Sequence, residues 1–289
     1  MTEGINKAVG IKENKSRTIH VPDFFGGILA GDPVKNPSES TIGLASEEWT
    51  KAHAFVFDDQ YDEGLMRDKT IESAHEIIWT LSLMDDTQPL QYIFQSTWNR
   101  FQERNPAPDL QQRWKESHRR CLYAILQQVW LAQSKIGLDI SIQEYMKTRR
   151  QSIGSYCLFV VVEWAYGITL TQDIFDHPSV STCECAAADL TWLVNDAFGV
   201  EHNIICLLMR KGYSEHEAMD KTGEMMNDCH KDWDNAVSNL PSWSEETDKE
   251  VQRYLYVARD VARANLWWSF RSGRYLNAAE AAQVWTNKT

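Results

Sequence analysis

Phe57-Asp58-Asp59-Gln60-Tyr61-Asp62-Glu63 closes an apolar stretch, Ala54 to Phe57, just before Gly64. On a helix Asp58 and Asp62 stand at i, i+4 and share a face, with Asp59 adjacent to it. Carboxylates that close repel, and a helix C-terminus disfavours anions further. A hard divalent cation relieves both costs; Mg²⁺ takes one or two carboxylates and completes its shell with water and phosphate oxygens. An acidic, solvated helix end would carry the same residues, so the cluster alone leaves both readings open.

A second group is Asn195-Asp196-Ala197-Phe198-Gly199-Val200-Glu201-His202-Asn203, placed in what reads as an apolar helix starting near Cys185. In one continuous helix Asn195, Gly199 and Asn203 stack at i, i+4, i+8 on a single face. Asn and Asp are weak helix formers, so their place after Trp192-Leu193-Val194 calls for water or a ligand. A third group, Tyr145-Met146-Lys147-Thr148-Arg149-Arg150-Gln151-Ser152-Ile153-Gly154, leads into the apolar run Cys157 to Val162. Guanidinium groups grip phosphate with two parallel bonds, and a following helix start adds amide donors. Capped by Ser and Gly with solvated arginines, the same run is an ordinary helix start. The fourth group, Asn265 to Tyr275, sets Trp267, Trp268 and Phe270 ahead of Arg274-Tyr275, which suits an apolar cavity with donors at its mouth. A plain core helix end looks similar.

The elements that must hold these groups are helices. After Pro108 only Pro178 and Pro241 remain, and apolar residues recur at helical spacing, as in Leu122, Ile125, Val129 or Val251, Tyr254, Leu255, Ala258. Period-2 runs and Asn-Gly hairpin signals are missing. Breaks fall near Gly64 to Asp68, Asp85 to Pro89, Asn105 to Pro108, Gly137 to Asp139, Gly167 to Thr171, His177 to Ser179, Lys211 to Ser214 and Leu240 to Ser242. They predict about eight to ten helices of 12 to 30 residues in one bundle of residues 46–289. Residues 1–45 hold six of the 14 glycines and three of the eight prolines, and read as an irregular arm packing on that domain.

Composition narrows the function. The 289 residues carry 29 Lys+Arg against 41 Asp+Glu, a net charge of −12, the wrong balance for gripping nucleic-acid phosphates. With mean hydropathy −0.46 and no long uncharged apolar run, the expectation is a cytoplasmic protein without a membrane span. Six scattered cysteines suit reduced thiols, and Cys183-x-Cys185 reads as small buried side chains rather than a zinc site. Twelve Trp, with ten Tyr and ten Phe, either fill a core or wall a pocket.

In this order and spacing, the four groups resemble the class I terpene cyclases (terpene synthases) of bacteria and fungi. That family shows an aspartate-rich DDxxD motif, an arginine some distance before NDxxSxxxE, and a C-terminal RY pair on an α-helical bundle. Here Arg149 precedes Asn195 by 46 positions, as in the family, and RRxSxG, NLxWSxxSxRY and the upstream Asn36-Pro37 also match. The resemblance covers roughly residues 20–276. It implies an all-α class I bundle around a central active-site cavity, with three Mg²⁺ ions and an isoprenoid diphosphate as substrate. It implies Asp58, Asp59 and Asp62 as metal ligands, Asp58 the direct one, facing Asn195, Gly199 and Asn203. Arg149 or Arg150 would sense diphosphate, the spacing favouring Arg149. Gly154 would mark the helix break that faces the substrate, and Arg274 and Tyr275 would bind diphosphate on closure. Phe55, Phe57 and Trp268 would line the pocket.

One departure stands out: Gly199 and Asn203 replace the family's Ser and Glu, and His202 sits where a Lys often contacts diphosphate. A neutral amide holds Mg²⁺ less well than a carboxylate. Two readings follow, a working cyclase with a modified site on the Asn side or a relative that binds isoprenoid diphosphates silently. The family's usual substrate for a chain of this length is farnesyl diphosphate, converted to a cyclic sesquiterpene, with geranylgeranyl diphosphate as the alternative. A chain-elongating prenyl synthase would carry a second DDxxD, and neither Asp85-Asp86-Thr87-Gln88-Pro89 nor Lys231 to Asp234 supplies it. No DxDD run for protonation-initiated cyclisation is present. The expected state is monomer or homodimer.

Overall fold

The computed structural model of the chain describes residues 22–34, 66, 69–82, 89–133, 140–198, 203–272 and 275. Among these residues a 3-10 turn, Gly27–Leu29, is followed by ten α-helices and no strand. They are α1 Thr70–Ser82, α2 Pro89–Gln102, α3 Pro108–Gln133, α4 Ile142–Ser152, α5 Ser155–Tyr166, α6 Gln172–Phe175, α7 Pro178–Phe198, α8 Ile204–Arg210, α9 Glu215–Ser238 and α10 Glu245–Arg271. Three are shorter than the expected range, α4 with 11 residues, α6 with 4 and α8 with 7.

Local chemistry sets the helix starts. Pro89, Pro108 and Pro178 occupy first helical positions, where a missing N–H costs nothing. Ser141 with Glu144 and Ser214 with Glu217 form capping boxes at α4 and α9. Ser244 caps α10 by accepting from Thr247 N at 3.1 Å.

The bundle is organised around α7, which packs on α9 and α10 and touches α4, α5 and α8. Its Cys183, Ala186, Ala187, Ala188, Leu190, Trp192, Leu193 and Val194 are all buried, so α7 is apolar nearly all round and behaves as a central core helix. Small residues at 186–188 let the neighbouring backbones approach closely. A separate aromatic cluster joins α2, α3 and α5: Trp98 and Trp114 lie 4.7 Å apart between centroids, with Phe101 stacked on Trp114 at 5.8 Å and tilted against Trp164 at 5.9 Å. Much of the tryptophan content is therefore core, including the buried Trp114, Trp192, Trp233 and Trp267. No helix among the described residues is long and apolar enough to cross a membrane.

A buried polar girdle ties α3, α5, α7 and α10. Arg113 donates through Nε to Glu163 Oε2 at 3.1 Å and lies 4.2 Å over the Phe175 ring. Tyr254 donates to Glu184, whose carboxyl burial pushes up to about 7.

Residues 22–34 lie across α9 and α10, and Phe24 and Leu29 join the main core. Trp267 Nε1 donates to Gly31 O at 3.1 Å, and Arg263 Nη2 donates to Ile28 O at 3.2 Å. Gly27 has φ +55°, and a Cβ there would stand 2.6 Å from the His230 ring. Gly27→Ala is therefore expected to cost roughly 1–3 kcal/mol from strain and overpacking. Urea unfolding checks this, and an unchanged midpoint would mean the arm does not hold the bundle.

Candidate active site

The site is built where the end of α4, the end of α7 and the segment after α10 meet. Arg149 and Arg150 occupy the last turn of α4, where the helix dipole favours cations. Helix α4 stops at Ser152, and α5 starts at Ser155 after Gly154, whose φ of +79° is left-handed. A Cβ at Gly154 would meet nothing within 4 Å. Gly154 is thus the left-handed residue between α4 and α5, with open space where a Cβ would stand.

Consecutive helix residues point about 100° apart, and the two arginines diverge accordingly. Arg149 donates through Nε to Asp196 Oδ1 at 2.8 Å and through Nη2 to Asn195 Oδ1 at 2.6 Å. Arg150 grips Asp189 with both arms, at 2.7 and 2.6 Å, about 9 Å down the α7 axis from Asn195. Asp189 is itself held by Trp192 Nε1 at 2.8 Å. Arg149 belongs to the Asn195 cluster, and Arg150 to a ion pair deeper along α7.

Asn195 Nδ2 donates to the Tyr275 hydroxyl at 2.5 Å, and the Tyr275 ring meets Trp268 edge-on at 6.0 Å. Four expected residues, Arg149, Asn195, Trp268 and Tyr275, are therefore joined in one chain of contacts. Phe55, Phe57, Asp58, Asp59, Asp62, Gly199 and Arg274 lie outside the described residues.

Two unforeseen residues support the cluster. Asp196, 2% exposed, accepts from Arg149, from the Tyr145 hydroxyl at 2.5 Å and from Ile204 N at 3.0 Å. It orients the guanidinium and at the same time closes the start of α8, where an anion suits the dipole. Burial drives the Tyr145 hydroxyl far above its usual range, with the Asp196 carboxylate adding to it. The signal for both was local: Tyr145 and Arg149 share a face at i, i+4, and Asp196 follows Asn195 directly.

The continuous helix expected through Asn195, Gly199 and Asn203 is corrected. Helix α7 ends at Phe198, and Asn203, with φ −115° and ψ 171°, is the extended residue that caps α8. Its Oδ1 accepts from Cys206 N at 2.8 Å, and the residue is 5% exposed. Asn is a strong N-cap and a weak interior helix residue, so a new helix begins there instead of the old one continuing. Asn203 consequently does not stack two turns above Asn195 on one helix face. Among the described residues no group of three His, Cys, Asp or Glu is placed to hold a metal. On this side the donors are carboxamides, with Asp189 and Asp196 committed to arginines.

A guanidinium oriented by a buried carboxylate, beside a carboxamide and a phenol, is a donor array of the kind that recognises anions. Residues 51–232 match the family described as terpene synthase family 2, C-terminal metal binding. The chain is 49% identical to a cycloaraneosene synthase of Sordaria araneosa over 93% of its own length and 89% of that protein. It is 30% identical to a (+)-eremophilene synthase of Gibberella fujikuroi, covering 92% and 90% of the two chains. In fold it resembles germacradien-4-ol synthase from Streptomyces citricolor, at TM-score 0.72 and 16% identity, over 85% of this chain and 99% of that one. The family match extends over more than half of the chain and takes in the arginine pair and Asn195: this protein belongs to the terpene synthases and carries their metal-binding region.

Proposed function

We propose that the chain ionises and cyclises an acyclic isoprenoid diphosphate, releasing diphosphate and a cyclic terpene. The observation that carries this is the contact chain Arg149, Asn195, Tyr275, Trp268, which sets anion donors directly beside an aromatic wall. Arg149 and Tyr275, with Arg274, bind and orient the diphosphate; Arg150 serves α7 through Asp189. Trp268, with Phe55 and Phe57, presents aromatic faces to the carbocation, each contributing about 0.5–2 kcal/mol. The same walls exclude water until the last cation is discharged.

The donor set fits a cation on the Asn side only as a partner of diphosphate and water oxygens, because Asn195 and Asn203 are neutral and Asn203 is also a helix cap. Mg²⁺ held by Asp58, Asp59 and Asp62 on one side and by Asn195 on the other, three ions in all, would supply charge to the leaving diphosphate. Asn203→Asp keeps a capping oxygen and adds a carboxylate, so stability should hold within about 0.5 kcal/mol. Half-maximal turnover should then need severalfold less Mg²⁺. An unchanged requirement in a metal titration would remove Asn203 from the metal site.

The reaction itself is tested by incubating purified protein with farnesyl and geranylgeranyl diphosphates, with and without Mg²⁺, and analysing the organic phase by gas chromatography and mass spectrometry. Farnesyl diphosphate is the expectation from sequence. The higher identity to the cycloaraneosene synthase makes cycloaraneosene the reference compound, and the substrate that yields it would be assigned. A cyclic product formed only with Mg²⁺ supports the reading. Diphosphate binding without product would transfer it to the silent relative that Gly199 and Asn203 allow.

A further inference from the structure

We propose that Cys157 and Cys121 form a peroxide-reactive dithiol directly behind the α4–α5 junction, with His118 as the base that activates Cys157. Cys157 is the third residue of α5, in the first turn, where the helix dipole favours a thiolate. Arg113 meets Glu163 at 3.1 Å and Cys121 meets Ser152 O at 3.8 Å, so α3 and α5 run antiparallel and Cys157 lies opposite the His118 turn, on the α3 face that Trp114, His118 and Cys121 share at i, i+4, i+7. The Cys121 thiol reaches the Ser152 carbonyl at 3.8 Å, which fixes it at the same junction. The His118 ring is stacked on Trp114 at 4.0 Å and edge-on to Phe94 at 5.3 Å, so its orientation is locked. Its Nδ1 donates to Trp114 O at 2.7 Å, leaving Nε2 as the nitrogen that can take a proton. A nucleophile, a base and a group that orients the base are thus assembled from two helices. Interaction with Cys121 lowers the Cys157 thiol well below its usual range, against burial, and His118 lowers it further. At Cys183 and Cys229, by contrast, burial pushes the thiols up, Cys183 to about 12.

The chemistry balances. The Cys157 thiolate attacks the distal oxygen of a hydroperoxide, the O–O bond breaks, and with one proton the products are a sulfenic acid and an alcohol or water. The Cys121 thiol then attacks the sulfenic sulfur, an S–S bond forms and water leaves, so two thiols are oxidised and one peroxide reduced. The disulfide withdraws Cys121 from Ser152 O and links α3 to the segment that carries Gly154.

The test is independent of terpene synthesis. The full chain is treated with hydrogen peroxide, blocked with N-ethylmaleimide, digested and mapped by mass spectrometry. A 121–157 cross-linked peptide, lighter by two hydrogens and reversed by dithiothreitol, is expected. Cys121→Ser should stop the sequence at a dimedone-trappable sulfenic acid on Cys157, and Cys157→Ser should abolish it. On the unsubstituted chain, iodoacetamide at neutral pH should modify Cys157 at least roughly tenfold faster than Cys229. Equal labelling rates, or peroxide treatment that yields no 121–157 link, would overturn the proposal.

Discussion

Arg149→Lys is expected to lower kcat/KM by roughly 10²–10³-fold, the usual effect of losing one oriented donor to a developing anion. Lysine keeps the positive charge beside Asp196 but not the fork that reaches Asp196 Oδ1 at 2.8 Å and Asn195 Oδ1 at 2.6 Å together. A point charge on a flexible stem cannot hold both partners and the diphosphate in one plane. Arg150→Lys is the matched control: its arms are spent on Asp189, so turnover should stay within about threefold while stability falls by roughly 1–2 kcal/mol. Steady-state kinetics and thermal melts on the pair decide the matter. If Arg150→Lys loses more turnover than Arg149→Lys, the roles of the two arginines are reversed.

Asp196→Ala should be the most destabilising single change at the site. It strips the acceptor from the Arg149 guanidinium, the Tyr145 hydroxyl and Ile204 N, and leaves a buried cation unpaired. Breaking a buried pair in this way costs about 3–5 kcal/mol, a fall in Tm of roughly 6–20 °C for a chain of this size. Turnover should collapse with it, because the guanidinium loses its direction and α8 loses the anion at its start. Asp196→Asn separates the two effects. It retains an acceptor for Ile204 N and much of the packing, so stability should recover in part while kcat stays low. Full recovery of kcat in Asp196→Asn would show that charge at Asp196 does not aim Arg149.

What was legible in the sequence was local. Helix starts at Pro89, Pro108, Pro178, Ser141 and Ser214 follow from residues within one turn of the break, as does the left-handed Gly154 between α4 and α5. The all-α character follows from the apolar period, which a single strand of sequence carries in full. The same local logic misled at Asn203. Its spacing from Asn195 suits a ligand on one continuous helix, yet Asn competes for backbone donors and caps a helix more readily than it extends one.

Residue types and their spacing carry the family resemblance, and they point to Asn195, Tyr275 and one of Arg149 and Arg150 as parts of one kind of site. Packing between helices far apart in the chain fixes that Arg149 faces Asn195 while its neighbour Arg150 runs along α7 to Asp189, and that the Asp196 carboxylate anchors the guanidinium beside Asn195. It likewise sorted the tryptophans, with Trp114 and Trp192 buried in the core and Trp268 against Tyr275. Adjacent side chains on a helix leave in directions about 100° apart, and what each one meets depends on helices brought alongside from far along the chain, which no window of sequence contains.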